Sequence, residues 1–224
     1  MKNNIALLKK SSLFSGLSSE EIEKLCACLY ARERKMKKNM FIFRAGDNAR
    51  LVYLILSGSM HIVDEDFWGN LFIIETLEAY TLFGEAYALA STEKHLVSVS
   101  AAQDSIILEI DPARLFEICS RGCACHAEII KNATHILSEK IVRLTEKLGH
   151  IAQRTIREKV LSYLSKCARQ AEKNSFYIPY SRQQLADYLC VDRSALSHEL
   201  SKLHNLGMIR YHKNYFELLV TASR

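Results

Sequence analysis

The segment from Ser181 to Leu206, SRQQLADYLCVDRSALSHELSKLHNL, constrains the fold of this chain more than any other, because it reads as two short helices joined by a tight turn. Ser181 is followed three positions later by Gln184, just after Pro179 has closed an extended segment. That is a reciprocal capping pattern, and it predicts a helix beginning at Ser181. Leu185, Ala186 and Leu189 recur at helical spacing, and Ala186 is small enough to let a second helix cross closely. Asp192 can accept a hydrogen bond from the free amides of that second helix, whose buried stripe is Ala195, Leu196, Leu200 and Leu203. Cys190 and Val191 fill the turn.

With that stripe inward, Arg193, Ser194, Ser197, His198 and Lys202 project outward, at the helix positions that enter a major groove. Arg193 can donate bidentately to guanine, the serines can bond either kind of base edge, and Lys202 is better placed for phosphate; His198 can do either job. The plain alternative is a structural corner whose polar residues face water. The residues after Leu206 favour the DNA-reading arrangement. Gly207, Met208 to Arg210, a polar His212 to Asn214 segment and Tyr215 to Leu219 alternate as a short hairpin should, which is a wing carrying His212 and Lys213 toward a phosphate backbone.

A chain of 224 residues with 49% hydrophobic content can bury a substantial core, and a division into two domains suits the charge distribution. The formal net charge is +5, yet from Ala152 onward there are 12 basic and 6 acidic residues, so the positive excess sits in the final third. That asymmetry fits a near-neutral sensor joined to a part that meets polyanions, although a modest excess also serves plain solubility. There is no apolar run of about 18 residues, and MKNNIALLKK is too polar for a secretory signal, so a cytoplasmic protein without membrane contact is expected. Seven cysteines, an odd number in a chain this large, point to reduced thiols rather than a disulfide framework.

Between Lys38 and Ile110 short alternating or apolar runs appear: Met40 to Phe43, Leu51 to Leu56, Met60 to Val63, Leu71 to Leu77 and Ile106 to Ile110. Gly46-Asp47, Ser57-Gly58 and Trp68-Gly69-Asn70 mark the reversals. Turn signals about 8 to 12 residues apart argue for a small barrel or sandwich. Ahead of it, Ser18 and Glu21 form another capping pair, and Asp111-Pro112 starts a short helix after it. A long helix begins after Gly122. Along it Ile130, Thr134, Leu137, Ile141, Leu144, Leu148 and Ile151 are spaced alternately four and three, the seam of a parallel coiled coil. The stripe could instead pack on the chain's own barrel, but Ile129, Ala133 and Ile136 supply a separate edge for that. A homodimer would set two recognition helices side by side, matching a pseudo-palindromic double-stranded site with half-sites about 34 Å apart.

This order of elements resembles the Crp/Fnr family of bacterial transcription regulators. The likeness covers almost the whole chain and is carried by Phe43 with Ala45-Gly46-Asp47, Val52 to Leu56 with Ser57-Gly58, Leu82-Phe83-Gly84-Glu85, the long helix, and Arg182-Gln183 with the Asp192 to Leu203 helix. It implies an α+β fold: a jelly-roll, cyclic-nucleotide-binding-like β-barrel with flanking helices over 1–121, a dimerisation helix over 122–151 and a winged helix-turn-helix over 152–220. It also implies RNA polymerase as a partner, and a small-molecule effector, metal cluster or haem sensed in the barrel. Ser181 and Arg182 join the expected DNA contacts.

The departures from the family pattern bear on the effector. Where the cyclic-nucleotide branch carries an arginine and a serine that grip phosphate, this chain reads His95-Leu96, and the polar pair that meets the purine appears as Val142-Arg143. Cyclic AMP is therefore not the expected ligand. Cys26 and Cys28 alone cannot supply the four thiolates of an iron-sulfur cluster. The family's glutamate and arginine base readers correspond to Ser194 and His198, so the operator should differ, with Arg193 carrying more of the specificity.

Glu85, His95 and Arg143 are the candidate effector pocket; Arg143 would favour an anion, or else pairs with Glu139 or Glu146 along the helix surface. Cys119, Cys123, Cys125 and His126 gather three sulfurs and an imidazole within eight residues, which could hold a thiophilic metal, form a redox pair or simply pack. A thiol enzyme lacks support, because no glycine-rich phosphate loop and no recognisable Cys-His motif is present. The remaining alternatives are an effector-independent DNA binder and a thiol- or metal-based sensor.

Overall fold

The computed structural model describes residues 4–65, 68, 71–90, 94–116 and 124–219. The chain forms two compact units, Met1–Ser138 and Glu139–Arg224.

The first unit opens with Ile5–Leu8 (α1), a tighter turn at Ser12–Phe14, and Ser19–Cys28 (α2). Ser18 and Glu21 cap α2 reciprocally: the Glu21 amide donates to Ser18 Oγ at 3.3 Å, and the Ser18 amide donates to the Glu21 carboxylate at 2.8 Å. Then come the strands Arg32–Met36 (β1), Phe41–Phe43 (β2), Val52–Ser57 (β3), Met60–Glu65 (β4), Leu71–Leu77 (β5), Leu82–Phe83 (β6), Ser98–Ala101 (β7) and Ser105–Ile110 (β8), with the short helix Glu85–Leu89 (α3) between β6 and β7. They pair antiparallel in two four-stranded sheets, β1-β8-β3-β6 and β2-β7-β4-β5, which is jelly-roll connectivity. The expected barrel thus takes the form of two separate sheets.

Side-chain alternation explains why β3 is apolar from Val52 to Leu56. Tyr53 and Ile55 enter a core with Phe43, Met60, Phe83, Val99 and Ile107, drawn from both sheets. Val52, Leu54 and Leu56 face the other way, into a cluster with Leu13, Phe14, Ile22 and Leu25. A strand covered on both faces reads as a continuous hydrophobic run. β3 turns into β4 at Gly58, with φ of +86°, where a Cβ would stand 2.1 Å from Ser105 Oγ. The turn needs a glycine for both its backbone angle and its space. At the far margin of the second sheet, β5 leaves Phe72, Ile73 and Ile74 exposed.

Pro112–Phe116 (α4) starts as expected, with Asp111 Oδ1 accepting from the Ala113 amide at 3.0 Å. The long helix is Ala124–Ile151 (α5). Its edge Ile129, Ala133 and Ile136 is buried in the cluster shared with α2 and β3, and Asn132 donates to the carbonyls of Leu13 and Ser15. The seam positions divide along the helix. Ile130, Leu137 and Ile151 are half-buried, whereas Ile141, Leu144 and Leu148 are 64%, 61% and 60% exposed, and Thr134 is exposed.

The second unit adds Ile156–Ala171 (α6), Ser175–Tyr177 (β9), Arg182–Tyr188 (α7), Arg193–Asn205 (α8), Ile209–His212 (β10) and Tyr215–Leu218 (β11). α6 carries a capping box of its own, Thr155 with Glu158, in addition to those expected from the sequence. The strands make a three-stranded sheet, β10-β11-β9. Its core takes Leu185 and Ala186 from α7, Leu196, Leu200 and Leu203 from α8, and Ile209 and Phe216 from the sheet. Burying each of those leucines contributes about 1.5–3 kcal/mol, so the predicted inward stripe is what holds the two helices together.

Candidate nucleic-acid interface and sensor segment

α7 and α8 are placed by local chemistry. Ser181 Oγ accepts from the Gln184 amide at 3.3 Å while the Gln184 side chain accepts from the Ser181 amide at 2.8 Å. Cys190 adopts a left-handed φ of +52° in the turn. Asp192 then caps α8, accepting from the Ala195 amide at 2.9 Å and from the Ser194 hydroxyl. Those bonds hold the Asp192 carboxyl below the usual carboxylate range, the Ser194 hydroxyl being the largest cause.

Ser194 is therefore engaged with the cap through its proton and keeps its lone pairs for an outside donor. Arg193, His198 and Lys202 are exposed on α8, and Ser197 is half-buried. His212 lies in β10 opposite Tyr215, so the wing turn is the pair Lys213-Asn214, tighter than the three-residue segment expected. Lys213 takes φ of +52°, and the Asn214 side chain donates through Nδ2 to the Ile178 carbonyl at 3.2 Å. His212 and Lys213 are both exposed.

Arg182 does something the sequence did not show. Its guanidinium lies 5.2 Å from the Tyr211 ring centroid and 5.8 Å from that of Phe216, so it braces the wing against the start of α7. Burial lowers its pKa from the ordinary arginine value. Tyr211 Oη is also 3.4 Å from Ser201 Oγ on α8, and His204 Nδ1 is 3.2 Å from the Ile209 carbonyl oxygen. Wing and α8 are thus joined by polar contacts between residues that carry no motif.

In the first unit, Glu85 is buried at the start of α3, after Gly84. A Cβ at Gly84 would press on Tyr53 Cδ2 at 2.9 Å. His95 is 1% exposed. Its backbone is clasped by the turn after β2: the Gly46 amide donates to the His95 carbonyl at 2.8 Å, and the His95 amide donates to the Asp47 carbonyl at 2.9 Å. Tyr87 meets its ring edge-on at 5.2 Å, and neither ring nitrogen has a hydrogen-bond partner. Burial lowers the His95 pKa, with Asp47 opposing. Arg143 is exposed on the part of α5 within the second unit. Of its two expected partners, Glu146 is taken by Lys166 of α6, whose ammonium reaches it from the neighbouring helix.

Cys119 and Cys123 lie outside the described residues. Cys125 is half-buried against the core, and the buried His126 spends Nε2 on the Arg114 carbonyl at 2.7 Å. Among the described residues no group of three His, Cys, Asp or Glu is placed to hold a metal ion. Burial pushes the Cys26 thiol up to about 11, which makes it a poor nucleophile. Also among the described residues, no helix is long and apolar enough to cross a membrane.

Sequence models place a cyclic nucleotide-binding domain at residues 33–121 and a Crp-like helix-turn-helix domain at residues 158–221. With the jelly roll, the long helix and the winged pair, they define a two-domain transcription regulator of the Crp type. The chain belongs to the Crp/Fnr family. The transcriptional activator protein Anr of Pseudomonas protegens is 26% identical over 165 residues, covering 70% of this chain and 64% of Anr. The CRP-like protein Clp of Xanthomonas euvesicatoria pv. vesicatoria is 23% identical over 199 residues, covering 87% of this chain and 86% of Clp. Among solved structures, the c-di-GMP responsive global regulator CLP of Xanthomonas campestris matches with a TM-score of 0.56 at 20% identity, over 91% of this chain and 100% of that one. The catabolite activator protein of Thermus thermophilus gives 0.54 at 23% identity, over 93% of each chain. These structures share the fold.

Proposed function

We propose that the chain acts as a homodimeric, sequence-specific DNA-binding regulator in the cytoplasm, engaging RNA polymerase and controlled by a small molecule sensed in the jelly-roll unit. The long helix α5 joins two protomers, and the winged unit that follows it reads the DNA. The observation that carries this reading is the exposed face of α8, with Arg193, His198 and Lys202, joined through Ser201 and His204 to the wing that exposes His212 and Lys213. Ser181, Arg182, Ser194 and Ser197 complete the candidate contacts. The exposed stripe Ile141, Leu144 and Leu148 supports pairing, since exposed leucines at coiled-coil spacing favour a second helix over water.

Glu85, His95 and Arg143 are the proposed effector residues. The neutral, apolar-packed His95 in place of a phosphate-gripping arginine argues against cyclic AMP, the ligand named for the related regulator Vfr of Pseudomonas aeruginosa. No catalytic step forms part of this reading. Selection of bound duplexes from a random pool, with sedimentation of the free protein, tests it: a recovered palindrome and a dimer are expected. A lone protomer, or no sequence retained over scrambled DNA, overturns it.

A further inference from the structure

The end of α5 is tied to α6 and α7 by three contacts. Glu146 accepts from Lys166 of α6, the Lys147 ammonium lies 5.7 Å from the ring centroid of Tyr188, and His150 Nδ1 shares a 2.8 Å hydrogen bond with Ser162 Oγ of α6. His150 sits at the centre of this joint. It is 5% exposed, edge-on to Tyr163 at 5.7 Å and 6.2 Å from Tyr188, with Nε2 buried and without a hydrogen-bond partner. Tyr188 is the last residue of α7 and stacks on Tyr180 at 5.1 Å; the turn through Cys190 leads from it directly into α8. One imidazole therefore connects the last turn of the long helix to the helix that precedes the reader.

We propose that His150 is a positioning residue, whose wedge between α5, α6 and α7 fixes each recognition helix to its long helix so that both half-sites of a palindrome are engaged together. This rests on the dimeric DNA-binding reading above. A second binding event gains from tethering when the geometry holds both readers at the right span, and loses that gain when the joint is loose. Loosening it should weaken full-site binding and leave the contacts of each reader to its own half-site intact.

A histidine makes the joint sensitive to protons. A second proton would place a buried N–H at Nε2 without an acceptor. The groups facing the ring are Glu146 on α5, which favours the cation, Lys166 and Arg169 on α6, which oppose it, and the neutral hydroxyls of Tyr163 on α6 and Tyr188 on α7, with Cys167 hydrogen-bonded to Tyr163. Burial is the largest cause and lowers the pKa, so the joint is intact at neutral pH and gives way below the ordinary histidine range.

The test compares affinities for the palindrome recovered by selection and for a duplex bearing one half-site, from about pH 8 to about pH 5, for wild type, His150→Asn and His150→Phe. Asparagine can keep the bond to Ser162 and cannot titrate. The ratio of full-site to half-site affinity should fall about tenfold on acidification in wild type, stay level in His150→Asn, and be about tenfold low at every pH in His150→Phe, with half-site affinity unchanged at about pH 8. An acid fall in His150→Asn equal to that of wild type, or a wild-type ratio that is flat with pH, overturns the proposal. If His150→Phe does not fold, the asparagine profile carries the test. Sedimentation of the same samples separates the two readings: a lone wild-type protomer overturns the dimer, while a dimer with a flat ratio overturns the joint alone.

Discussion

His95 stacks face to face on Phe43, with ring centroids 3.6 Å apart and planes 8° from parallel. Neither ring nitrogen has a hydrogen-bond partner, so the neutral form fits this packing and the cation does not. Burial lowers the folded-state pKa below the unfolded value of about 6.5, so the unfolded chain binds the proton first as pH falls. The stability contributed by a neutral His95 is complete above about pH 6.5 and is lost as pH drops through the lowered folded value. Urea unfolding of His95→Phe, which preserves an aromatic stack, should show a shallower loss of stability between about pH 6.5 and about pH 5 than wild type. An unchanged acid limb would show that His95 is not the titrating group.

Arg193 and Lys202 should separate into two kinds of contact. Arg193→Ala should weaken binding to the selected palindrome by about 1 to 3 kcal/mol and barely alter binding to scrambled duplex. Lys202→Ala should weaken both together and reduce the salt slope by about 1. Equal losses on both duplexes for Arg193→Ala would reassign it to phosphate.

Arg182 should behave as a brace for the wing. Removing its guanidinium from Tyr211 and Phe216 in Arg182→Ala should cost about 1 kcal/mol of stability, seen as a lower midpoint in thermal unfolding. Arg182→Lys should recover less than half of it, because an ammonium lacks the planar face that stacks on a ring. Full recovery by lysine would mean that charge, and not stacking, is what Arg182 supplies.

Leu144 and Leu148 are more than half exposed, so Leu144→Glu with Leu148→Glu should leave the fold of a protomer unchanged while opposing two like-charged helices. Sedimentation should give a protomer and circular dichroism a wild-type helix content. A dimer that survives both substitutions would place the pairing surface elsewhere.

Much of the second unit is legible in the sequence because its signals are local. Ser181 with Gln184 lies within one turn and Asp192 with the Leu196, Leu200 and Leu203 stripe within about three, and the folded chain uses them as the spacing predicts. β1 gives no such signal because RERKM is almost wholly polar and buries little besides Met36 at the edge of its sheet. β6 has two residues, too few for any periodicity. Arg182 offers no sign in the sequence that its partner is Tyr211, 29 positions later, nor does His150 reveal Ser162 across an interhelical turn. The buried state of His95 likewise depends on Phe43, which the chain returns to it from an earlier strand.

The outer margin of β5 pairs with no other described strand, and LFIIETL carries a single carboxylate, Glu75, exposed at mid-strand. Two molecules meeting along that margin in antiparallel fashion would bring their Glu75 side chains near one another, and like charges facing across a ladder repel. Replacing Glu75 with an apolar residue turns the strand into a bare ribbon on which neighbouring molecules can knit into fibres.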